Sequence, residues 1–311
     1  MYSRFTALED FGKEELERLG DSTAAVIGLG ATGSVIAENL ARHGVSLIVI
    51  DRDYLEENDL YSSNLYTRSD VEKGLPKAEA AGNRLEQFTD IETHVESLGP
   101  DNSPLLEDAD ILLDGTDNLE TRFLLNDYAK KEDKPWIYTA AIAGEGYSML
   151  FDQGCFNCVF DKVPAGNLET CETAGIMREA ASIAASRSSW KAVQYLTGKD
   201  VEEKLEIVPS GKRFDVEKDG CEVCEQENFP HLQSTAKTVA VCGENKYQIE
   251  RDIGPRAFDV LEEKGELKAR NDHLIRVEVK GREFTLFRSG RAIIEASDSG
   301  HAEEIFAELL G

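Results

Sequence analysis

The chain has 311 residues, enough to bury a full hydrophobic core, and its 41% hydrophobic and 30% charged residues are typical of a globular protein rather than a disordered or membrane-spanning one. A formal net charge of −26 repels DNA, RNA and anionic lipids, which excludes a broad nucleic-acid-binding role. Acidic runs such as 55–59 and 201–206 are scattered rather than collected in one tail, and this indicates a salt-adapted, halophilic protein.

The N-terminal segment lacks the apolar core of a signal peptide, and no stretch approaches 18 uninterrupted apolar residues. We therefore expect a cytoplasmic protein with no membrane partner. In a reducing compartment its six cysteines favour metal binding or nucleophilic chemistry over disulfides.

Strand and helix signals alternate along the first half of the chain. A short helical arm is expected at 1–20. Strands follow at 24–27, 47–50, 91–95, 110–113 and 136–141, and helices after the first strand to Ala41, at 77–88 and at 119–131. This alternation is typical of βαβ units. It predicts an α/β fold with a doubly wound, Rossmann-like, mostly parallel sheet.

The second half predicts strands at 144–151, a crossover loop at about 155–175, and a long Ala/Ser-rich helix at 174–196 whose small residues permit close packing. After a polar connector at 226–236, a small α+β domain is predicted at 237–311. Its expected strands lie at 238–241, 274–279, 283–288 and 292–294, and its expected helices near 255–264 and 301–310. The large domain is accordingly expected to span 1–225.

The first motif is a glycine loop, Gly28-Leu29-Gly30-Ala31-Thr32-Gly33, that follows a strand and opens a helix. Glycines there let backbone N–H groups approach a phosphate at the helix N-terminus, and Asp51 at the end of the next strand suits ribose hydroxyls. The motif predicts a nucleotide without identifying it, because a nicotinamide-dependent oxidoreductase begins in the same way.

The second motif, Asp114-Gly115-Thr116-Asp117-Asn118, follows the strand at 110–113 and is therefore expected at the ligand-binding edge of the sheet. Adenylation needs magnesium and positive charge to offset a triphosphate while a carboxylate attacks its α-phosphate. Asp117 suits the metal, and Lys77 and Arg4 suit the charge. Each alone is typical of an ordinary surface residue, and their combination is what favours a site.

Four cysteines form two C-x-x-C pairs, Cys155 with Cys158 and Cys221 with Cys224. Four thiolates suit tetrahedral zinc, although the 62 residues between the pairs exceed the spacing of a zinc ribbon. The pairs predict a zinc site that joins a mid-chain loop to a segment beyond the long helix. Free or redox-active cysteines are the alternative.

Two cysteines remain. Cys171 lies just before the long helix, whose N-terminus lowers the pKa of a thiol, while the flanking Glu169 and Glu172 raise it. A nucleophile and an inert thiol both stay open for Cys171. Cys242 is interpreted as structural.

In this combination and order the motifs resemble those of the ThiF/MoeB-type adenylyltransferases, relatives of the ubiquitin-activating enzymes. The resemblance spans roughly residues 2–224, and the C-terminal segment looks like the appendage of some ThiF-type members. It rests on Tyr2-Ser3-Arg4, the glycine loop, Asp51-x-Asp53, Leu75-Pro76-Lys77-Ala78, Gly115-Thr116-Asp117-Asn118, both cysteine pairs and Thr170-Cys171-x-x-Ala174-Gly175.

The resemblance implies roles for these residues. Asp117 would serve the magnesium-assisted attack and Lys77 would contact phosphate. Arg4 would reach the partner's site in a homodimer, and Cys171 would form a thioester or acyl-disulfide during onward transfer. The implied ATP-binding set is Gly28, Gly30, Ala31, Gly33, Asp51, Asp53, Asn58, Asp59, Ser62, Lys77, Asp117 and Asn118.

The implied reaction joins the C-terminal glycine of a small β-grasp, ubiquitin-like carrier protein ending in Gly-Gly to AMP, with release of pyrophosphate. The product would serve sulfur transfer to thiamine, molybdopterin or tRNA, or protein conjugation. The C-terminal segment has no rhodanese-like cysteine loop, so any sulfurtransferase is expected to be a separate protein.

The sequence departs from the family where Asn-Leu-x-Arg-Gln is usual and Asp59-Leu60-Tyr61-Ser62-Ser63 stands instead. Ser62 removes a cation from the triphosphate site and Asp59 replaces an amide with an acid. These changes keep two alternatives open beside the oxidoreductase: adenylation of a different carboxylate, and a binding protein without catalysis.

Overall fold

The computed structural model describes residues 11–160, 175–215, 221–233, 246–251, 253–288 and 290–310. Within these ranges the chain forms two units. One contains residues 11–67 and 77–233, and the other contains residues 68–76 and 246–310. In the part of the chain so described, no helix is long and apolar enough to span a membrane.

An eight-stranded sheet forms the centre of the larger unit. Its strand order is β3-β2-β1-β4-β5-β6-β7-β8; the first five strands are mutually parallel and the last three extend the sheet antiparallel. The strands are β1 (Thr23–Ile27), β2 (Ser46–Ile50), β3 (Ile91–His94), β4 (Ile111–Asp114), β5 (Trp136–Ile142), β6 (Glu145–Phe151), β7 (Lys204–Val208) and β8 (Lys212–Asp215).

The helices of this unit are α1 (Lys13–Gly20), α2 (Gly33–Arg42), α3 (Asp59–Ser62), α5 (Lys77–Leu85), α6 (Leu119–Lys131), α7 (Phe156–Phe160) and α8 (Arg178–Leu196). Of these, α2, α5, α6 and α8 pack on the sheet.

Helices cover both faces of the sheet. Successive side chains of β5 point in opposite directions and therefore contact different helices. Tyr138 joins the core beneath α6, whereas the Thr139 hydroxyl donates a 2.7 Å hydrogen bond to Ser188 of α8. The small residues of α8 let it lie close to β6: a Cβ on Gly146 would come within 2.7 Å of the Ala180 carbonyl. Helix α2 packs against α8.

The smaller unit is a five-stranded antiparallel sheet with order β10-β11-β12-β13-β9. Its apolar core includes Phe258, Leu261, Phe284 and Ile294. Its elements are α4 (Arg68–Glu72), β9 (Lys246–Glu250), α9 (Ala257–Lys264), β10 (Glu266–Arg270), β11 (Leu274–Val279), β12 (Arg282–Phe287), β13 (Arg291–Glu295) and α10 (Ser299–Leu310).

The predicted fold class is confirmed: a large, mostly parallel sheet, a group of four cysteines beside it, and a small C-terminal α+β sheet. Elements with a clear apolar pattern fall where expected, as α6 does. The strands β7, β8, β9 and β10 and the short helices α3, α4 and α7 were not predicted from the sequence. Helix α7 occupies part of the stretch predicted as a crossover loop at 155–175, and α8 begins at Arg178 rather than at 174. The predicted strand at 238–241 lies outside the described residues.

Candidate active site

Two loops meet at the carboxyl edge of the parallel strands because three glycines leave room for them. Gly28 has a left-handed φ of +81°. A Cβ on Gly33 would lie 1.8 Å from the Gly28 carbonyl oxygen, and one on Gly115 would lie 2.4 Å from that same oxygen. Any larger residue would force the backbones apart. The loop after β1 is thus held against the loop after β4.

A cavity of about 320 Å³ opens at this edge. Its wall contains ten of the twelve residues predicted to bind ATP: Gly28, Gly30, Ala31, Asp51, Asp53, Asp59, Ser62, Lys77, Asp117 and Asn118. Gly33 packs behind the wall against Gly28 and Gly115, and Asn58, which precedes α3, does not line the cavity. Arg4 and Cys171 lie outside the described residues.

Acidic side chains surround one lysine in this cavity. The buried Asp51 carboxylate accepts hydrogen bonds from the backbone N–H groups of Leu29 (2.6 Å) and Asp53 (2.7 Å). Lys77 begins α5, donates its backbone N–H to the Asp53 carbonyl at 2.8 Å, and places its Nζ 3.0 Å from Oδ1 of Asp59. This ion pair is largely buried, with side-chain exposures of 14% and 13%.

Burial and neighbouring charge shift the protonation of these groups. Burial, and then repulsion from Asp53, raise the pKa of Asp51 to about 6. Burial disfavours the charged form of Lys77, but the carboxylates of Asp51, Asp53 and Asp59 outweigh it and raise the pKa of the lysine above its usual value. At neutral pH the cavity therefore contains a protonated lysine and an ionised Asp51.

Arg122, which the sequence analysis missed, holds the second loop in place. Its Nε donates to Oδ2 of the fully buried Asp114 at 2.9 Å, and its Nη2 donates to the Thr116 carbonyl at 2.5 Å. Asp114 also accepts from the Thr116 backbone N–H at 2.8 Å. A usable signal was present: an arginine one turn into α6, eight residues after an acid that ends a strand.

Asn118 has a structural role beside its place in the wall. Its Oδ1 accepts the backbone N–H of Thr121 at 2.8 Å and so caps the first turn of α6. Other parts of the wall come from segments that no motif indicated, including Glu96, Ser97 and Leu98 after β3, and Ile176 before α8.

The four cysteines of the two C-x-x-C pairs converge beside α7. Their sulfurs lie within 4.8 Å of one another, with 3.6 Å between Cys155 and Cys158, 3.5 Å between Cys155 and Cys221, and 3.6 Å between Cys158 and Cys224. Zn–S bonds of about 2.3 Å at tetrahedral angles separate sulfurs by about 3.8 Å. The geometry and the thiolate donors both fit a zinc ion that joins the start of α7 to 221–224.

Comparisons with known proteins identify the family of this chain. The profile of the ThiF family matches residues 2–231. The sulfur carrier protein ThiS adenylyltransferase of Bacillus subtilis is 34% identical over 100% of this chain and 99% of its own length. The SAMP-activating enzyme E1 of Haloferax volcanii is 32% identical over 57% of this chain and 67% of its own length.

A solved structure of Escherichia coli MccB with AMPCPP and MccA has a TM-score of 0.59 to this chain at 18% identity, and the match covers 72% of this chain and 73% of that one. That likeness establishes the fold alone. The family profile and the full-length match to the Bacillus relative confirm the resemblance stated from the motifs. The chain belongs to the ThiF family.

Proposed function

We propose that this protein uses ATP to adenylate the C-terminal glycine of a small ubiquitin-like sulfur carrier or modifier protein. The observation that carries the proposal is the single cavity shared by the glycine loop, Asp51, Lys77 and the 117–118 pair. The names of two relatives, a ThiS adenylyltransferase and a SAMP-activating enzyme, support this substrate class.

The geometry suits ATP in one orientation. The glycine loop precedes the N-terminus of α2, where backbone N–H groups and the helix dipole favour phosphate. The Asp51 carboxylate uses two acceptor positions for backbone N–H groups and retains two for ribose hydroxyls. Lys77, whose charge lies beside the carboxylates of Asp51, Asp53 and Asp59 in the same cavity, would then contact the phosphates.

Charge balance supports a requirement for magnesium. The wall carries five carboxylates against three cations, and the excess negative charge would repel a triphosphate unless a further cation offset it. The acids are Asp51, Asp53, Asp59, Glu96 and Asp117, and the cations are Arg52, Lys77 and Arg122. Asp117 is exposed and offers the oxygen ligand that magnesium prefers. Magnesium bound there would neutralise charge on the phosphates as pyrophosphate leaves.

The proposed reaction has two steps. An oxygen of the carrier's terminal carboxylate attacks the α-phosphorus of ATP, the bond to the bridging oxygen breaks, and pyrophosphate leaves. The acyl-adenylate can then be attacked by the Cys171 thiolate, which forms a thioester and releases AMP. For sulfur transfer, the persulfide of a separate sulfurtransferase would attack the thioester carbonyl, the Cys171 thiolate would leave, and an external thiol would reduce the acyl disulfide to release the carrier thiocarboxylate. For conjugation, a nucleophile on the target would take the acyl group and release the Cys171 thiolate.

An exposed apolar stripe supports a homodimer, in which Arg4 would reach the partner's cavity. Ile183 and Trp190 are seven residues apart on α8 and thus share one face, with exposures of 43% and 44%; Met177, just before the helix, is 57% exposed. Exposed apolar side chains along one face of a helix suit a contact with another protein surface. The acidic composition supports a salt-rich cytoplasm, and the requirement for ATP agrees with that location.

The test is ATP–pyrophosphate exchange at high salt with a small β-grasp protein ending in Gly-Gly. We expect exchange only with the carrier present, loss of exchange in Asp117→Ala, and retention in Cys171→Ala. Glu120→Gln, an exposed acid on the first turn of α6, is the matched control and should keep full activity.

The absence of exchange with every Gly-Gly carrier, while ATP still binds, would contradict the proposal. The departures at Asp59 and Ser62 would then mark a different carboxylate substrate or a protein that binds without catalysis. Carrier-independent exchange would likewise exclude a carrier as the substrate.

A further inference from the structure

The smaller unit contains a stretch from the middle of the larger unit's sequence. Residues 68–76, including α4, group with residues 246–310, so the chain leaves the larger unit after Thr67 and returns to it at Lys77. Lys77 is the residue whose Nζ lies beside Asp59 in the ATP cavity. This connection raises the question of what fixes the stretch just before the lysine.

Within the smaller unit, Asn271 holds that stretch. The asparagine lies between β10 and β11, and its Oδ1 accepts the backbone N–H groups of His273 and Leu274, both at 2.8 Å. Its Nδ2 donates to the carbonyls of Gly74 at 2.7 Å and Lys73 at 3.4 Å. Both ends of the amide are satisfied, and this pattern fixes its orientation.

The segment that Asn271 contacts is itself well defined. Gly74 is buried, adopts a left-handed φ of +60°, and donates its N–H to the Val71 carbonyl at 2.9 Å, which ends α4. A Cβ on Gly74 would lie 3.6 Å from that of Ala269. The carbonyl that accepts from Asn271 thus belongs to a tight turn packed on β10.

Only two residues separate this turn from Lys77. Pro76 has a fixed φ, and three peptide units span at most about 10 Å. Lys77 is then anchored by its own N–H to the Asp53 carbonyl. Movement of Gly74 would therefore be transmitted to the first turn of α5, where the lysine side chain begins.

We propose that Asn271 is a positioning residue for the nucleotide site. It fixes residues 73–76 and so limits the movement of Lys77, which gives the C-terminal domain a role in ATP binding. The expected effect on ATP binding rests on the proposed function, because that function assigns the phosphate contact to Lys77.

The test is Asn271→Asp in the full-length chain. Aspartate keeps an oxygen for the N–H groups of His273 and Leu274 but replaces the donor to Gly74 with a second acceptor. Lys268→Gln is the matched control, since Lys268 is exposed on β10 and pairs only with Glu266 and Glu278 among the described residues. Hydrogen exchange without nucleotide and the KM for ATP in pyrophosphate exchange are measured on both variants.

We expect Asn271→Asp to speed amide exchange over 68–80 and to raise the KM for ATP about fivefold, the usual effect of one lost hydrogen bond, with kcat retained. Exchange over β12 and β13 and all values for Lys268→Gln should stay unchanged. Unchanged exchange over 68–80, or an unchanged KM despite faster exchange, would overturn the proposal.

A second variant tests whether the effect on the KM arises from the turn at Gly74 rather than from general destabilisation of the smaller unit. Gly74→Ala strains the left-handed turn and leaves the Asn271 amide in place, although the added Cβ would lie 3.9 Å from the Asn271 Nδ2. It should also raise the KM, and an unaltered KM in this variant would refute the inference. If the unmodified protein shows no pyrophosphate exchange, the proposed function falls. The nucleotide-free exchange data and the dissociation constant of ATP still decide whether Asn271 positions Lys77.

Discussion

Replacing Asp59 with asparagine should strengthen ATP binding. Asp59 Oδ1 lies 3.0 Å from the Lys77 Nζ, so the phosphate proposed to contact this lysine must compete with the carboxylate. Asparagine removes the competing charge but keeps an oxygen for the Glu56 backbone N–H, which Asp59 now accepts at 2.9 Å. Lys77 retains the nearby charges of Asp51 and Asp53.

The size of the effect follows from the geometry. At 3.0 Å and an effective dielectric constant of about 20, the Asp59–Lys77 attraction is about 5 kcal/mol before desolvation. Desolvation and side-chain ordering offset most of that in measured pairs. A net gain of about 1–2 kcal/mol remains, which corresponds to roughly five- to thirtyfold tighter ATP binding.

Titration calorimetry with ATP and magnesium at low and high salt measures this change. The gain of Asp59→Asn should shrink at high salt because ions screen the charge that was removed. Glu57→Gln removes a charge from the adjacent exposed surface and should change the affinity little. Weaker ATP binding by Asp59→Asn at both salt concentrations would refute the reasoning and show that the carboxylate itself assists the ligand.

Three further predictions concern pH, zinc and the second loop. Because the pKa of Asp51 is about 6, ATP affinity should fall about tenfold per pH unit below 6, and a flat pH profile in calorimetry would contradict this. The raised pKa also means that Asp51 stabilises the fold without ATP at acid pH and that this stabilisation is lost as pH rises through 6; denaturant titrations that show no such loss would contradict it. Cys155→Ser should lose a bound zinc ion and lower the unfolding temperature by roughly 10 °C, as checked by metal analysis and calorimetry, whereas Cys242→Ser should do neither. Arg122→Met should lower the free energy of unfolding by about 3–5 kcal/mol, because it leaves the Asp114 carboxylate buried without its partner; an unchanged urea midpoint would exclude that role.

The sequence analysis succeeded where local pattern and topology agree. Apolar runs such as those of β1 and β4 are buried on both sides, and parallel strands bring their carboxyl ends to one edge. The glycine loop and Asp117 could therefore be assigned to the same edge from their positions after strands. The cysteine pairs could likewise be joined because thiolate chemistry favours one metal.

Other parts could not be derived from local pattern. The strand β8 is exposed along its whole length and exists because it pairs with β7, not because of any apolar periodicity. Arg122 and the wall at 96–98 carry no motif, since their place depends on how distant segments pack. Residues 68–76 group with the C-terminal sheet although they lie inside the domain predicted at 1–225, and a prediction of domains as continuous segments could not reveal this. The domain limits 1–225, 226–236 and 237–311 stay predictions.

The most direct test of the central claim is the intact mass of the carrier protein after incubation with this enzyme, ATP and magnesium, with pyrophosphatase added to remove the product. We predict a carrier bearing one AMP at its terminal glycine, which hydroxylamine releases, and no adduct on a carrier whose C-terminus is amidated. An unmodified carrier despite bound ATP, or AMP attached to the amidated carrier, would contradict adenylation of the terminal carboxylate.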